Sequence, residues 1–289
     1  MQKLRIWILA ARPKTLLASV SPVLLGTALS MADGFFNFLL FLATLFTALG
    51  IQICSNMAND YIDFIKGADV ATRKGPLRVM QAKLVTASVM KKALVIAFGG
   101  TFCLGLYLVF FGGTYILILL CLGLALAYLY TGGPYPLAYL GIADIFAIIF
   151  FGPIAVASTY FLQSHSWGFD SFLIGIAPGA LTVAILVCNN VRDIQEDVQA
   201  SKRTLVVRFG LTFGKWEYAS MIVLALMIPF FFINSHPLAL LSLLTLFPAG
   251  ILIYKVFTFS DPTSLNSLLA KTAQLLFLFC LLFSLGWML

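Results

Sequence analysis

Residues 36–69 read FNFLLFLATLFTALGIQICSNMANDYIDFIKGAD. The first part of this stretch carries no charge and is long enough to cross a bilayer, which takes about 20 apolar residues in a helix. The last part gathers Asn56, Asn59, Asp60, Asp63 and Asp69. Ionisable groups at the end of a membrane helix are expensive and usually have a function. One segment thus sets both the fold class and the place to look for chemistry.

The whole chain follows the same pattern. Of its 289 residues 61% are hydrophobic and 10% charged, with a mean hydropathy of +1.02; a soluble domain carries roughly 25% charged residues. Apolar stretches fall near Leu16–Met31, Phe36–Met57, Ser88–Phe111, Thr114–Thr131, Ile142–Leu162, Ser171–Val191, Trp216–Ile233, Pro237–Phe257 and Leu265–Trp287. They predict an all-α integral membrane protein, a bundle of about nine transmembrane helices forming one domain over residues 1–289. The first stretch follows Arg12-Pro13-Lys14 and has no small-residue cleavage site after it, so it reads as a retained helix and not as a signal peptide.

The cations orient the bundle. The 18 Lys and Arg lie before the first helix (Lys3, Arg5, Arg12, Lys14), between the second and third (Lys66 to Lys92), between the sixth and seventh (Arg192 to Lys215), and at Lys255 and Lys271. The alternate loops, around Asp33, Gly112, His165 and Ser235, have none. The positive-inside rule puts the N-terminus in the cytoplasm and the C-terminus outside. The net charge of +7 is then a matter of topology, and no nucleic-acid partner is implied. The five cysteines sit in apolar stretches without C-x-x-C spacing and read as buried structural thiols.

The acidic pattern occurs twice. Cys54-Ser55-Asn56-Met57-Ala58-Asn59 resembles Cys188-Asn189-Asn190-Val191-Arg192-Asp193, and at the same offset Asp63 meets Asp197. Spacings of three, four and seven residues share one helical face. The two clusters hold Asp60, Asp63, Asp69, Asp193, Glu196 and Asp197, six of the chain's 11 acidic residues. Carboxylates packed this closely repel one another unless a cation lies between them. Mg²⁺ suits them, because it takes oxygen ligands and is commonly held by one or two carboxylates plus substrate phosphates. Ions held there would grip a diphosphate and draw electron density from its bridging oxygen. Simple helix-end charges are the bland alternative, disfavoured by the matched spacing.

Cations flank both clusters: Arg73, Lys74 and Arg78 after the first, Lys202, Arg203 and Arg208 after the second. Arg73, Arg78, Lys202 and Arg203 are the nearest in sequence and are expected on phosphate oxygens. Tyr130-Thr131-Gly132-Gly133-Pro134 is a turn on the same side, with Tyr130 able to face the aspartates and Asp144 opening the next helix. His165 and His236 fall on the opposite side and are poor catalytic candidates.

Asn59-Asp60-x-x-Asp63 with a second Asp193-x-x-x-Asp197, each at a cytoplasmic helix end, resembles the UbiA superfamily of membrane prenyltransferases. Arg12-Pro13-Lys14-Thr15-Leu16, Gln52 with Asn56, Arg73-x-Gly75-Pro76-x-Arg78, Tyr130-Thr131-Gly132-Gly133, Phe150-Phe151-Gly152 and Asn189-Asn190-x-Arg192-Asp193 with Lys202-Arg203-Thr204-Leu205 are similar to its 1,4-dihydroxy-2-naphthoate polyprenyltransferase branch. The likeness is specific from about Arg12 to Gly210, with Ser201 and Asp144 as mild departures from the family pattern. It implies transfer of a polyprenyl group from its diphosphate to 1,4-dihydroxy-2-naphthoate, with loss of diphosphate and CO₂, giving demethylmenaquinone in a bacterial plasma membrane. It implies Mg²⁺ on Asp60, Asp63, Asp69, Asp193 and Asp197, with Asp60, Asp63, Asp193 and Asp197 catalytic. Asn56, Asn59, Arg73, Arg78, Asn190, Lys202 and Arg203 are expected at the diphosphate, and Arg12, Tyr130 and Asp144 at the aromatic acceptor. The implied partners are the prenyl diphosphate, a small aromatic acid and the bilayer, with no protein partner. The alternatives are a relative acting on another acceptor such as 4-hydroxybenzoate, and, more remotely, a transporter.

Overall fold

The computed structural model describes residues 2–67 and 74–289, with side chains from residue 4 onward. Among the described residues there is helix and no strand. The chain runs through α1 (Gln2–Ala11), α2 (Pro13–Ala32), α3 (Phe38–Ile65), α4 (Ala87–Leu129), α5 (Leu137–Leu140), α6 (Ala143–Ile149), a π turn (Phe150–Ile154) and α7 (Ala155–Ser164). It continues through α8 (Phe169–Arg192), α9 (Ile194–Gln199), α10 (Leu205–Met227), α11 (Leu246–Thr258) and α12 (Leu265–Met288), with short 3₁₀ turns before α11 and α12. Eight of these rods, counting α6 to α7 as one, are long and apolar enough to span a membrane.

α4 has 43 residues. Straight, it would extend to about 65 Å, twice the hydrocarbon thickness. It is not straight. Gly113 has φ 62 and ψ −153, and a methyl group added at Gly105 would collide with the side chain of Leu120. Those two residues could meet only if the chain folds back between them, so α4 is a hairpin of two rods. The sequence expectation of separate stretches, Ser88–Phe111 and Thr114–Thr131, matches its two arms.

Two expectations need revision at their ends. The hydropathy reading gives no helix before Leu16, yet α1 is helical, because Ile6, Trp7 and Leu9 pack on a small cluster formed by Met57, Val79, Met80 and Met90. Arg12 then turns the corner with φ 51, and Pro13 opens α2, where its missing N–H costs nothing. The seventh stretch starts at Leu205 and not near Trp216. Arg208 and Lys215 depress the hydropathy there, and Gly210, at φ 88, interrupts the helix.

The main core is built around α8. Its Ile174, Ala177, Ala180, Ala184 and Val187 are fully buried, and they pack with residues of α2, α10 and α12. Small residues let helices approach closely where lipid offers no hydrophobic drive for association. Gly175 of α8 lies against Pro153, so near that an added methyl would stand 2.6 Å from its Cα. Gly179 would meet the carbonyl of Ile148 at 2.3 Å in the same way. This tight seam holds the π turn, with Gly152 and Pro153 in it, against the central helix. π turns of this kind recur at functional sites.

Candidate active site

α3 runs on to Ile65, eight residues beyond the expected apolar end, so the first acidic cluster is helical. Asn56, Asn59 and Asp63 fall on one face, and each is fixed by contacts from other elements. Asn56 Nδ2 donates to the carbonyl of Ala11 (2.9 Å) and to Thr15 Oγ1 (3.0 Å). Asn59 accepts from Arg12 (3.1 Å) and donates to Thr131 Oγ1 (2.8 Å). The corner between α1 and α2, the aspartate face of α3 and the end of α4 are thereby tied together.

Asp63 is 1% exposed. Its Oδ2 accepts from Arg78 at 2.7 Å and from Lys202 at 3.1 Å. Lys202 follows the second acidic cluster, so the two clusters meet at one end of the bundle. Lys74 joins them again: its backbone N–H donates to Glu196 (2.8 Å) and its Nζ to Gln195 (2.9 Å). Both contacts bring the segments that carry the two acidic clusters together.

The second cluster hangs from the end of α8. Arg192, 2% exposed, grips both oxygens of Asp193 at 2.6 Å in a two-pronged contact. Its NH1 donates to Asn266 of α12, whose own amide donates to the carbonyl of Lys74. Buried and paired guanidinium of this kind fixes a carboxylate in place. Asp197 is pushed up to about 7 by burial, opposed by Lys202 and reinforced by Asp193, Asp63 and Glu196. Tyr130 is also driven up, by burial and then by Asp144, Asp197 and Asp63, so its phenol keeps its proton.

The structure sends Asp60 elsewhere. Its two oxygens accept from the backbone N–H groups of Val79 (3.0 Å) and Met80 (3.3 Å). It stands next to Asn59 but on another face of α3, where it fastens the 74–85 loop to the helix. Arg203, expected on phosphate, is exposed and is not among the residues lining the polar chamber described below. Asp69 and Arg73 lie outside the described residues.

Two cavities adjoin. A polar chamber of about 210 Å³ is bounded by Arg12, Asn56, Asn59, Arg78, Tyr130, Asp144, Asn190, Asp193, Asp197 and Lys202. An apolar one of about 240 Å³ runs deeper, between Val23, Leu108, Leu120, Phe146, Phe150 and Leu162. Gln52, Ser55, Tyr130, Ala143, Ala147 and Phe151 border both. The expected residues Arg12, Tyr130 and Asp144 all reach the polar chamber, and Asp144 Oδ1 is buried there without a hydrogen-bond partner among the described residues.

Among the described residues no three Asp, Glu, His or Cys side chains cluster tightly enough to hold an ion unaided. The carboxylates present do suit a cation that brings phosphate and water ligands with it. Asp63 Oδ1 is buried and has no partner among the described residues, and burial, with the acidic neighbours adding to it, raises the pKa of Asp197.

Sequence reasoning missed Arg192 as the holder of Asp193, although it stands inside the quoted motif. It also missed Asn266, the second residue of the apolar helix α12; polarity at the end of a membrane helix was the available signal.

A polar, carboxylate-bearing chamber opening into an apolar one inside a helical membrane bundle defines a class: membrane proteins that handle an amphiphile with an anionic head and a hydrocarbon tail. Residues 19–281 match the UbiA prenyltransferase family, and the chain belongs to that family. It is 36% identical over 292 residues to the 1,4-dihydroxy-2-naphthoate octaprenyltransferase of Escherichia coli strain K12, covering 97% of this chain and 94% of that one. Identity to the Haemophilus influenzae protein of the same name is 33% over 302 residues, covering 99% and 96%. A UbiA homolog from Archaeoglobus fulgidus bound to DMAPP and Mg²⁺ has the same fold, with TM-score 0.62 and 13% identity over 96% of this chain and 99% of that one.

Proposed function

We propose that this protein is a 1,4-dihydroxy-2-naphthoate polyprenyltransferase that makes the quinol form of demethylmenaquinone. The observation that carries the reading is the junction of the two chambers. A diphosphate is served by the polar side, an isoprenoid tail by the apolar side, and the allylic carbon between them falls near the shared wall. The relatives' names support the naphthoate as acceptor. The positive-inside pattern supports placing the polar chamber at the cytoplasmic face of a bacterial plasma membrane, with nine passes.

Asp63, Asp193 and Asp197, with Asn59 and Asn190, would hold magnesium, as the archaeal homolog's bound ion encourages. The ion supplies positive charge to the diphosphate oxygens and makes diphosphate a better leaving group. Arg78 and Lys202 neutralise the same oxygens and keep Asp63 in place. The allylic C–O bond breaks with its electron pair leaving on diphosphate. Phe146, Phe150 and Phe151 exclude water from the allylic cation and can face it with their rings. The electron-rich naphthol ring forms the new C–C bond, and departure of CO₂ leaves its electron pair to restore aromaticity. Tyr130, protonated among three carboxylates, offers a hydrogen bond to the departing diphosphate or to the acceptor's carboxylate. Arg12 and Asp144 are assigned to the acceptor, by charge and by an unpaired carboxyl oxygen respectively.

Purified protein given Mg²⁺, a polyprenyl diphosphate and either acid tests this. Prenylated naphthoquinol, CO₂ and diphosphate are expected with the naphthoate, and loss of turnover with EDTA. Turnover of 4-hydroxybenzoate but not of the naphthoate would refute the acceptor.

A further inference from the structure

Gln52 lies on the same face of α3 as Asn56, Asn59 and Asp63, one to three turns deeper into the bilayer, and it borders both chambers. Its amide can be oriented from its neighbours. The Asn56 Nδ2 faces the Ala11 carbonyl, an atom that can only accept, so the Asn56 Oδ1 points the other way. Gln52 meets that oxygen at 3.4 Å and must therefore present its Nε2 there. Its Oε1 is left buried at the junction with no hydrogen-bond partner among the described residues. A buried acceptor without a donor is costly, and such groups are usually kept for something that arrives.

What arrives must carry a donor. The prenyl chain has none and the diphosphate has only acceptors. Of the substrates assigned above, the one with O–H donors is the aromatic ring. We propose that Gln52 is a specificity residue whose Oε1 accepts a hydrogen bond from one ring hydroxyl of the aromatic acceptor. Asp144 Oδ1 is likewise buried at the same chamber and unpartnered among the described residues, while Asp63 Oδ1, the third such oxygen, is assigned to the cation. Two acceptors match a ring with two hydroxyls. A ring with one hydroxyl leaves one of them unmet, and sites built to bind a hydroxyl discriminate strongly against its loss. This rests on the aromatic-acceptor reading but concerns recognition and not the chemistry of transfer.

The test uses Gln52→Leu, with Gln52→Met as a slimmer replacement, and Gln52→Glu, which keeps an acceptor oxygen. Three probes are 1,4-dihydroxy-2-naphthoate, 1-hydroxy-2-naphthoate and 4-hydroxy-2-naphthoate. In Gln52→Leu and Gln52→Met the KM of the dihydroxy acid is expected to rise about tenfold, the worth of one buried hydrogen bond. The KM of the prenyl diphosphate stays within twofold. One monohydroxy analogue should lose affinity about tenfold and the other less than twofold, while Gln52→Glu keeps the wild-type ratio between them. Equal weakening of both analogues would mean a change of cavity shape and would overturn the proposal. So would an unchanged acceptor KM, or a rise confined to the prenyl diphosphate. Analogue binding is read by naphthol fluorescence without turnover. Selective weakening of one analogue in a protein that transfers nothing to naphthoate would support Gln52 while refuting the reaction; no binding of either to the wild type would refute both.

Discussion

Adjacent aspartates in this chain have different tasks. Asp63 has one oxygen shared by Arg78 and Lys202 and another with no partner among the described residues. Asp60 has both occupied by backbone amides of the loop. Asp63→Asn is therefore expected to raise the Mg²⁺ concentration for half-maximal activity more than tenfold and to cut turnover by at least about 100-fold, beyond what outer ligand partners are worth. Asp60→Asn should leave that Mg²⁺ requirement within twofold and lower thermal stability by about 1–3 kcal/mol, since its new NH₂ faces a buried N–H. Magnesium titrations of the two variants side by side check the division. Arg192 gives a second case. Lysine cannot reproduce its fork onto Asp193 together with the contact to Asn266. Arg192→Lys should cost about 10- to 100-fold in kcat/KM with Mg²⁺ affinity falling in parallel. The acidic clusters themselves were legible, because charge in an apolar sequence is conspicuous. Which aspartate is taken up by the loop was not, since a helix turns 100° per residue and the staple depends on where a distant loop docks.

Elements were more readable than contacts. The hairpin within α4 was visible as two apolar stretches broken at Gly112-Gly113, because length alone forbids one straight rod. α1 was invisible: its charges look like a cytoplasmic flank, and its apolar side finds a partner only once Val79 and Met80 are brought over it. The seam between α8 and the π turn was likewise hidden, since glycines in a membrane segment do not announce which neighbour approaches them. That seam sets the wall of both chambers through Ala147 and Phe151. Gly175→Ala would place a methyl 2.6 Å from the Cα of Pro153, a backbone atom with no freedom to swing aside. The expected result is a loss of about 1–3 kcal/mol, the usual range for overpacking, with the KM for the prenyl diphosphate raised as the apolar chamber deforms. Gly250→Ala, which meets nothing within 4 Å, is the control and should change neither. Thermal unfolding in detergent and donor titrations measure both effects.

The molecule as a whole has two unlike ends. At one, the acidic clusters, Arg12, Arg78, Lys74 and Lys202 converge. At the other, Tyr160 donates to Asp33, the Asn37 amide donates to Gln163, and Trp167 stacks on Phe161 and meets Tyr115 edge-on. These contacts join three of the four loops that lack any Lys or Arg, and aromatic girdles of this type sit at membrane–water boundaries. Charge and geometry thus agree on which loops share a side, a point the sequence could reach only through parity. With α4 folded back at Gly113, its two arms count as separate rods, and the proposed nine passes would put the chain ends on opposite sides. In a background freed of the five native cysteines, a membrane-impermeant maleimide should label Ser166→Cys and Ser235→Cys on intact cells. It should reach Ser88→Cys and Ser260→Cys only after the membrane is opened. Labelling of Ser260→Cys on intact cells would mean that the segments after α10 cross differently. Labelling of Ser88→Cys would turn the active chamber outward, away from a cytoplasmic supply of prenyl diphosphate and naphthoate, and the proposed reaction could not be fed.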